Sequence, residues 1–576
     1  MKKIFNICRK ILDNKTFCII AVPLLIVAIA ITCIVMIDSW KYSVSNYFNK
    51  MLPQVFPRYV VYQNNLLCED YSQLDFENSD IREIRIFNGR SKLTNHSRGF
   101  SIEFPEEAQY DFTVAQEYIN VKCNDFTAVV SKEFSANGNG VENSKLYVKN
   151  CINKYLLDEK YLLENNIMVH ENKEDNRAGY PVQVIALTRI PAKGSTVKYN
   201  TYVYCYVYTD TNMFYRIMFR SEQYNDELMS EVYKTLDSLD TDISVRGVSS
   251  TFTDYRPVVP QCWSEETTAM YNDIVSANEC RWGIYSPHAI ENNDLSDIEK
   301  LEEKAESEFD GVLEYTYLFT EIPVEGMKSA YRQGKVVELT LQTSTEMNRE
   351  LNGKNPVFDV IDGLYDEKIR EMAADIKEVG HPILFRLNNE MNSDWTSYSG
   401  AACMTDPEIY VMVWRRIYDI FAEEGVNNTI WIFNPNDECF PPNGYNDSTA
   451  YYPGDEYVHI FGITGYNTGT YYAELNGEKW RTFDEIYSAI DEKYSGIYGE
   501  FPWIITEFAS SSIGGDKVKW IKDMFRDIKK YPEIKMAFWF NSADFESISE
   551  NYERVARPYW FDETEETAKA FAEGLK

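Results

Sequence analysis

Between residues 282 and 540 the sequence alternates short apolar runs with amphipathic stretches, and no other feature narrows the possible folds as far. The runs are Trp282–Tyr285, Gly311–Tyr315, Val336–Leu341, Pro382–Leu387, Thr429–Phe433, Val458–Ile463, Trp503–Thr506 and Met536–Phe540, each of four to six residues. Runs this short and this apolar read as strands covered on both faces, as in a parallel sheet layered with helices. The stretches between them carry helix patterns. Ile369, Met372, Ala373 and Ile376 keep a 3.6-residue period until Gly380 and Pro382 stop it. Asp406-Pro407-Glu408 supplies an N-cap, a proline at the first helical position and an acid in the first turn, and the helix continues through Ile409, Val413, Ile417 and Ile420. Val518, Ile521, Phe525 and Ile528 mark another, ended by Pro532. Eight strand–helix units in about 300 residues fit a (β/α)8 barrel, an α/β fold. A doubly wound open sheet is the alternative, weakened because no glycine-rich phosphate loop follows the first run.

Two of the eight runs lead into an acid. Glu390 lies just past the fourth, in Phe385-Arg386-Leu387-Asn388-Asn389-Glu390, and Glu507 closes the seventh, in Trp503-Ile504-Ile505-Thr506-Glu507. An acid after a fully apolar strand is costly to bury without a partner or a task. Barrels of this kind carry their sites at the C-terminal ends of the strands, so the two acids would share one mouth as a general acid/base and a nucleophile would. Two separately salt-bridged acids remain the alternative on these residues alone.

The segments FRLNNEMNSDW, ITEF, WGIYSP, YYPGDEYVHIFGITGYN and AFWFN, in their spacing over roughly residues 280–545, resemble glycoside hydrolase family 26, a family of retaining (β/α)8 glycosidases. The resemblance implies that Glu390 is the acid/base and Glu507 the nucleophile. It implies that Tyr466 hydrogen-bonds the nucleophile, that Trp539 forms the floor under the sugar, and that Trp395 lies on the substrate path. Arg386 and Asn389 would hold the two glutamates. No metal or cofactor is implied, and the partner is a polysaccharide. The chain also departs from the family's mannan-cleaving members, which commonly have His before the acid/base and a Trp-His pair ending strand three. Here those places read Asn389 and Leu339-Thr340-Leu341-Gln342-Thr343. The departures suit a mixed-linkage or β-1,4-glucan at least as well as β-mannan. A catalytically inactive glycan-binding protein is the competing reading. Tyr398, Phe440, Tyr445, Tyr451, Tyr452, Tyr471, Tyr472 and Trp480 crowd the loops after strands four to six, where flat rings would meet sugars and Asn392, Asn434, Asn436 and Asn467 would bond hydroxyls.

Ahead of the barrel, expected over residues 261–576, Phe17 to Ile37 is an uncharged apolar run of 21 residues, long enough to cross a bilayer. Lys2, Lys3, Arg9, Lys10 and Lys15 precede it, so residues 1–16 should stay in the cytoplasm and the remainder lie outside the cell membrane as a single-pass protein. A cleaved signal peptide is the alternative, but Ile37-Asp38-Ser39-Trp40 offers no small-residue cleavage site. Residues 42–240 read as a smaller α+β domain with an antiparallel sheet. Strand candidates there are Phe100–Phe104, Phe126–Val130, Val182–Leu187, Thr201–Tyr208 and Phe214–Phe219, with helices at Leu146–Leu162 and Met229–Leu239. Residues 42–95 give no clear pattern, and 241–260 read as a linker. The tyrosine-rich run Thr201–Tyr208 fits a half-buried sheet better than a glycan platform. A net charge of -33 argues against nucleic acid as a partner. The 11 cysteines show no CxxC and no metal-type clustering with the 5 histidines.

Overall fold

A computed structural model of the chain describes residues 38–113, 118–135, 143–249, 253–290, 295–344, 353–549 and 552–576. The expected membrane span at 17–37 lies outside the described residues. Among the described residues, no helix is long and apolar enough to cross a membrane.

All eight expected runs become strands, and they close into one parallel barrel. Twelve strands precede it among the described residues, so its members are β13 (Arg281–Tyr285), β14 (Gly311–Tyr317), β15 (Val336–Gln342), β16 (Ile383–Leu387), β17 (Thr429–Phe433), β18 (Ile460–Thr464), β19 (Trp503–Phe508) and β20 (Ile534–Phe540), with β20 pairing back onto β13. The two-residue period of each strand sorts its side chains. Leu313, Leu384, Ile430, Ile432, Ile460, Ile504, Met536 and Phe538 fill the lumen. Phe385, Leu387, Trp431, Phe433, Phe461, Ile505 and Trp539 pack outward in the large core that the surrounding helices share. Each such burial stabilises by about 1.5–3 kcal/mol. Gly283 is required in β13, because a Cβ there would stand 2.3 Å from the Phe538 ring inside the barrel. Tyr271 and Ile274 of helix Glu265–Ser276 join the lumen cluster and close the end opposite the mouth.

The N-terminal half holds two antiparallel sheets where the sequence promised one. The first, in order β2-β1-β3-β4-β5, comprises β1 (Arg58–Gln63), β2 (Leu66–Leu67), β3 (Ile81–Phe87), β4 (Arg90–Asn95) and β5 (Phe100–Pro105). It takes up the stretch without a clear pattern. Its charges are absorbed by tertiary pairs that sequence periodicity cannot show: Arg82 with Asp80 at 2.8 Å, and Glu83 with Lys41 at 3.1 Å and Tyr42 at 2.7 Å. The second sheet has seven strands in the order β6-β7-β8-β12-β11-β10-β9. They are β6 (Gln109–Asp111), β7 (Tyr118–Lys122), β8 (Phe126–Phe134), β9 (Ile167–Arg177), β10 (Tyr180–Arg189), β11 (Thr201–Tyr208) and β12 (Met213–Ser221). Instead of one helix over Leu146–Leu162, the chain makes a helix Ser144–Tyr147 that continues as a π-helical turn Val148–Ile152, and a separate one, Glu159–Glu164, started by the Asp158 side chain capping Tyr161. The part of the expected linker at 253–260 is docked on the barrel. Tyr255 stacks on Tyr452 at 3.9 Å, and its N–H donates to Ile497.

β11 explains how the halves meet. Val203, Cys205 and Val207 face the helix Asp226–Asp237 and the first sheet, while Tyr202, Tyr204 and Tyr206 belong to the same buried core as the barrel helices. The tyrosine-rich strand is therefore covered on both faces, and its rings form a seam between domains.

Candidate active site

Tyr315, Thr340 and Arg386 stand at one level on β14, β15 and β16, since Tyr315 pairs in register with Thr340 and Thr340 with Arg386. All three lie near the C-terminal ends of their strands. Arg386 is fully buried. Its Nε donates to Thr340 Oγ1 at 2.7 Å and its Nη1 to Asn434 Oδ1 at 3.0 Å. It pairs with Glu338 at 2.9 Å and lies 3.5 Å from Glu507.

Glu507, on β19, is 3% exposed. Asn389 Nδ2 and Thr464 Oγ1 each donate to its Oε1 at 3.2 Å, and the Tyr315 hydroxyl donates to Oε2. Asn389 is fixed in turn by Gln342 and Tyr398, which donate to its Oδ1 at 2.8 and 3.0 Å. Glu390 follows β16 on a turn that departs from ordinary backbone: Asn388 has φ 51° and Glu390 φ 57°. A left-handed glutamate persists only where its surroundings over-determine it. Here Thr343 N–H and hydroxyl both bond Asn388 Oδ1, and Glu390 N–H donates to Asn434 O at 2.8 Å. The Glu390 carboxyl accepts from Asn436 Nδ2 at 2.5 Å.

Burial pushes Glu507 up to about 8, and the Asp544 carboxylate adds to it. Burial also raises Glu390, against the pull of Asn436, Arg386 and Trp395 and with a push from Asp437. Both carboxyls thus stand above the usual range, where the family resemblance leads one to expect an ionised Glu507 beside a protonated Glu390. Their donors differ: Tyr315, Asn389 and Thr464 hydrogen-bond Glu507, with Arg386 3.5 Å away, while Asn436 hydrogen-bonds Glu390. Among the described residues no group of three or more His, Cys, Asp or Glu is placed to hold a metal ion.

The structure brings Arg386, Asn389, Glu390, Trp395 and Glu507 together but not in every expected role. Tyr466 does not make the expected contact: the tyrosine on Glu507 is Tyr315, while the Tyr466 ring packs against Phe540 at 5.9 Å and Tyr559 at 5.0 Å. Trp539 cannot be a sugar floor. It is fully buried on the outward face of β20, its Nε1 donating to Tyr559 O at 3.0 Å, among Phe508, Trp520 and Phe571. The inward residues of β20 are Met536, Phe538 and Phe540, and Phe540 reaches the mouth, stacked on Tyr285 at 4.6 Å. Trp395 is 41% exposed and packs against Phe440 at 5.2 Å, so both offer ring area to solvent. Of the crowded loop aromatics, Tyr398, Tyr445, Tyr451 and Tyr452 are buried and serve the core. Sequence reasoning missed Tyr315 and Thr464. The signal for Tyr315 was its position two residues after inward-facing Leu313 on a strand of period two.

The sequence model of "Glycosyl hydrolase family 26" matches residues 271–494, which includes Glu390 and stops short of Glu507. Endoglucanase H of Acetivibrio thermocellus is 35% identical over 186 residues, 32% of this chain and 20% of that protein. A mannan endo-1,4-beta-mannosidase of Bacillus subtilis strain 168 is 29% identical over 119 residues, 19% of this chain and 30% of the other. The chain therefore spans less than a third of the length of either relative. Among solved structures, the catalytic domain of a Bacillus sp. JAMB-750 GH26 endo-beta-1,4-mannanase superposes with a TM-score of 0.43 at 17% identity, over 56% of this chain and 92% of that one. Residues 271–494 of the barrel thus match the model of glycosyl hydrolase family 26, and the chain is similar there to an endoglucanase and to mannan endo-1,4-beta-mannosidases.

Proposed function

We propose that the barrel hydrolyses a β-linked polysaccharide by double displacement, with Glu507 as nucleophile and Glu390 as acid/base. The observation that carries this reading is the unequal set of hydrogen bonds around two carboxyls at one barrel mouth, three on Glu507 and one on Glu390. The ionised Glu507 attacks the anomeric carbon while Glu390 protonates the leaving oxygen, giving a glycosyl ester. Tyr315, Asn389 and Thr464 hold the attacking carboxylate in place. Forming the ester removes the Glu507 charge, so the Glu390 carboxyl becomes more acidic and next takes a proton from water. The sugar then leaves with its original configuration. An NMR record of the first-formed anomer tests this, and inversion would refute it.

For the substrate we place mixed-linkage or β-1,4-glucan ahead of β-mannan. The stretch Leu339–Thr343 stands where mannan-cleaving members commonly carry Trp-His, and its Gln342 is committed to Asn389. The relative named an endoglucanase also matches at higher identity and over a longer stretch than the mannosidase. β-Mannan is kept as the second reading because further matching relatives are named mannan endo-1,4-beta-mannosidases. Reducing-end release on barley-type glucan, carboxymethylcellulose and galactomannan decides between them. Cleavage of mannan alone reverses the order, and binding without cleavage leaves a glycan-binding module. We further propose that residues 17–37 anchor the chain in the cell membrane with the barrel outside, a reading supported by the five basic residues ahead of that run. Protease added to intact cells should then degrade the barrel, and a protected barrel would refute the orientation.

A further inference from the structure

The N-terminal domain does more than lie beside the barrel, because two routes run from it toward Glu390, one hydrogen-bonded throughout from the seven-stranded sheet and one from the turn at Lys154 and Tyr155. The first begins at Glu133 on β8, which is 2% exposed and oriented by Ser131 at 2.6 Å. Its carboxylate accepts the N–H of Gly444 at 2.8 Å and of Tyr445 at 3.0 Å, together with the Asn443 amide at 3.3 Å. These residues begin the one-turn helix Gly444–Asn446 in the loop after β17. Asn446 Nδ2 then donates to Asn392 O at 2.8 Å. Asn392 grips Asn436 at two points, accepting its N–H at 2.8 Å and donating to its carbonyl at 3.0 Å. Asn436 Oδ1 accepts Glu438 N–H at 3.0 Å, which turns its amide NH2 toward Glu390, 2.5 Å away.

The second route is shorter. Tyr155 donates its hydroxyl to Asp394 O at 3.0 Å, and Lys154 pairs with the Asp394 carboxylate at 2.8 Å. The next residue, Trp395, lies beside the Glu390 carboxyl and lowers its pKa against the effect of burial. The Asn436 amide and the Trp395 ring that meet Glu390 are therefore both set in place from outside the barrel.

We propose that Glu133, Lys154 and Tyr155 are positioning residues for the proton donor, so that the N-terminal domain completes the active site of the barrel. This rests on Glu390 acting as the acid/base. The carboxyl is already in an unfavourable backbone region, and small displacements of a proton donor from the leaving oxygen are costly in rate. The dependence should appear only where protonation matters.

The test uses the full chain with Glu133→Ala, Glu133→Gln, and the milder Tyr155→Phe and Lys154→Ala. Each is assayed on barley-type glucan and on a dinitrophenyl β-cellobioside, whose leaving group needs little protonation (galactomannan and the matching mannobioside if the substrate panel selects mannan). Glu133→Ala should lose up to about a hundredfold in kcat on polysaccharide, with KM nearly unchanged and the aryl glycoside affected by less than about twofold. Glu133→Gln and Tyr155→Phe should show the same asymmetry at smaller size. Equal losses on both substrates, or no loss in any variant, would overturn the inference while leaving the hydrolase reading intact. A wild-type enzyme inert on every substrate would overturn both.

Discussion

The barrel mouth and the seam between domains both bury charged groups, yet they bury them differently. At the seam, two arginines are matched to aspartates and a third to a carbonyl and a ring. Arg220 meets both oxygens of Asp406 at 2.7 and 2.6 Å, Arg216 donates to Thr405 O at 2.6 Å and lies over the Tyr445 ring, and Arg189 grips Asp362 at 2.7 and 2.9 Å. At the mouth, Arg386 is shared between Glu338 and Glu507, and both of those carboxyls are pushed up to about 8 by burial. Matched burial docks two surfaces. Unmatched burial, facing a cleft, leaves groups poised to exchange protons or bonds. The amount of buried polarity does not mark a site, but its imbalance does.

That contrast can be broken at either end. The largest effect is expected at the mouth, where Glu507→Ala should lower kcat by roughly 10⁴-fold or more while the folded state stays intact, because the covalent route disappears. Steady-state kinetics alongside thermal unfolding will show it, and a parallel loss of stability would make Glu507 a docking residue instead. At the seam the effects should invert. Arg220→Ala strands a carboxylate that is 1% exposed and should cost about 3–5 kcal/mol of unfolding free energy, with a far smaller change in kcat per folded molecule. Denaturant unfolding measures this, and a neutral substitution would mean that the seam is not matched in the sense described.

The smallest effect concerns pH. A carboxyl whose folded-state pKa is raised favours folding fully below its unfolded value, and loses that contribution as pH rises through the folded one. Glu338 and Glu507 are both raised from 4.5 to about 8, so the melting temperature should fall as pH climbs through that window. Glu338→Gln should flatten part of the slope. A pH-independent melting temperature, or an unchanged slope in the variant, would mean that Arg386 already balances both acids.

What the sequence revealed follows the same division. The barrel strands were legible because burial on both faces leaves unbroken apolar runs such as Thr429–Phe433. Glu390 and Glu507 were legible because an acid ending such a run has no ordinary place to go. Trp539 was misread because neighbouring residues of β20 point to opposite faces, and the register of a strand in a closed barrel is set by pairing rather than by composition. Tyr315 escaped notice because its partner lies 192 residues away. The first sheet escaped apart from its last strand, Phe100–Pro105, because Arg82 and Glu83 sit at buried positions and break the alternation by which a strand is recognised. The seam escaped because a tyrosine strand looks the same whatever covers it.

The chain order of the two halves gives the seam a direction in time. Met404 and Thr405 take left-handed backbone angles of 53° and 49°, and they are held there by Tyr204 and Arg216 from the sheet. During synthesis those holding residues leave the ribosome nearly two hundred residues ahead of the loop they hold, which is roughly ten to forty seconds at ordinary elongation rates. Domains fold as units from the N-terminus, so the sheet is available as a template when the loop carrying Glu390 and Trp395 is made. A permuted chain that places the sheet after the barrel would have to build the loop without that template.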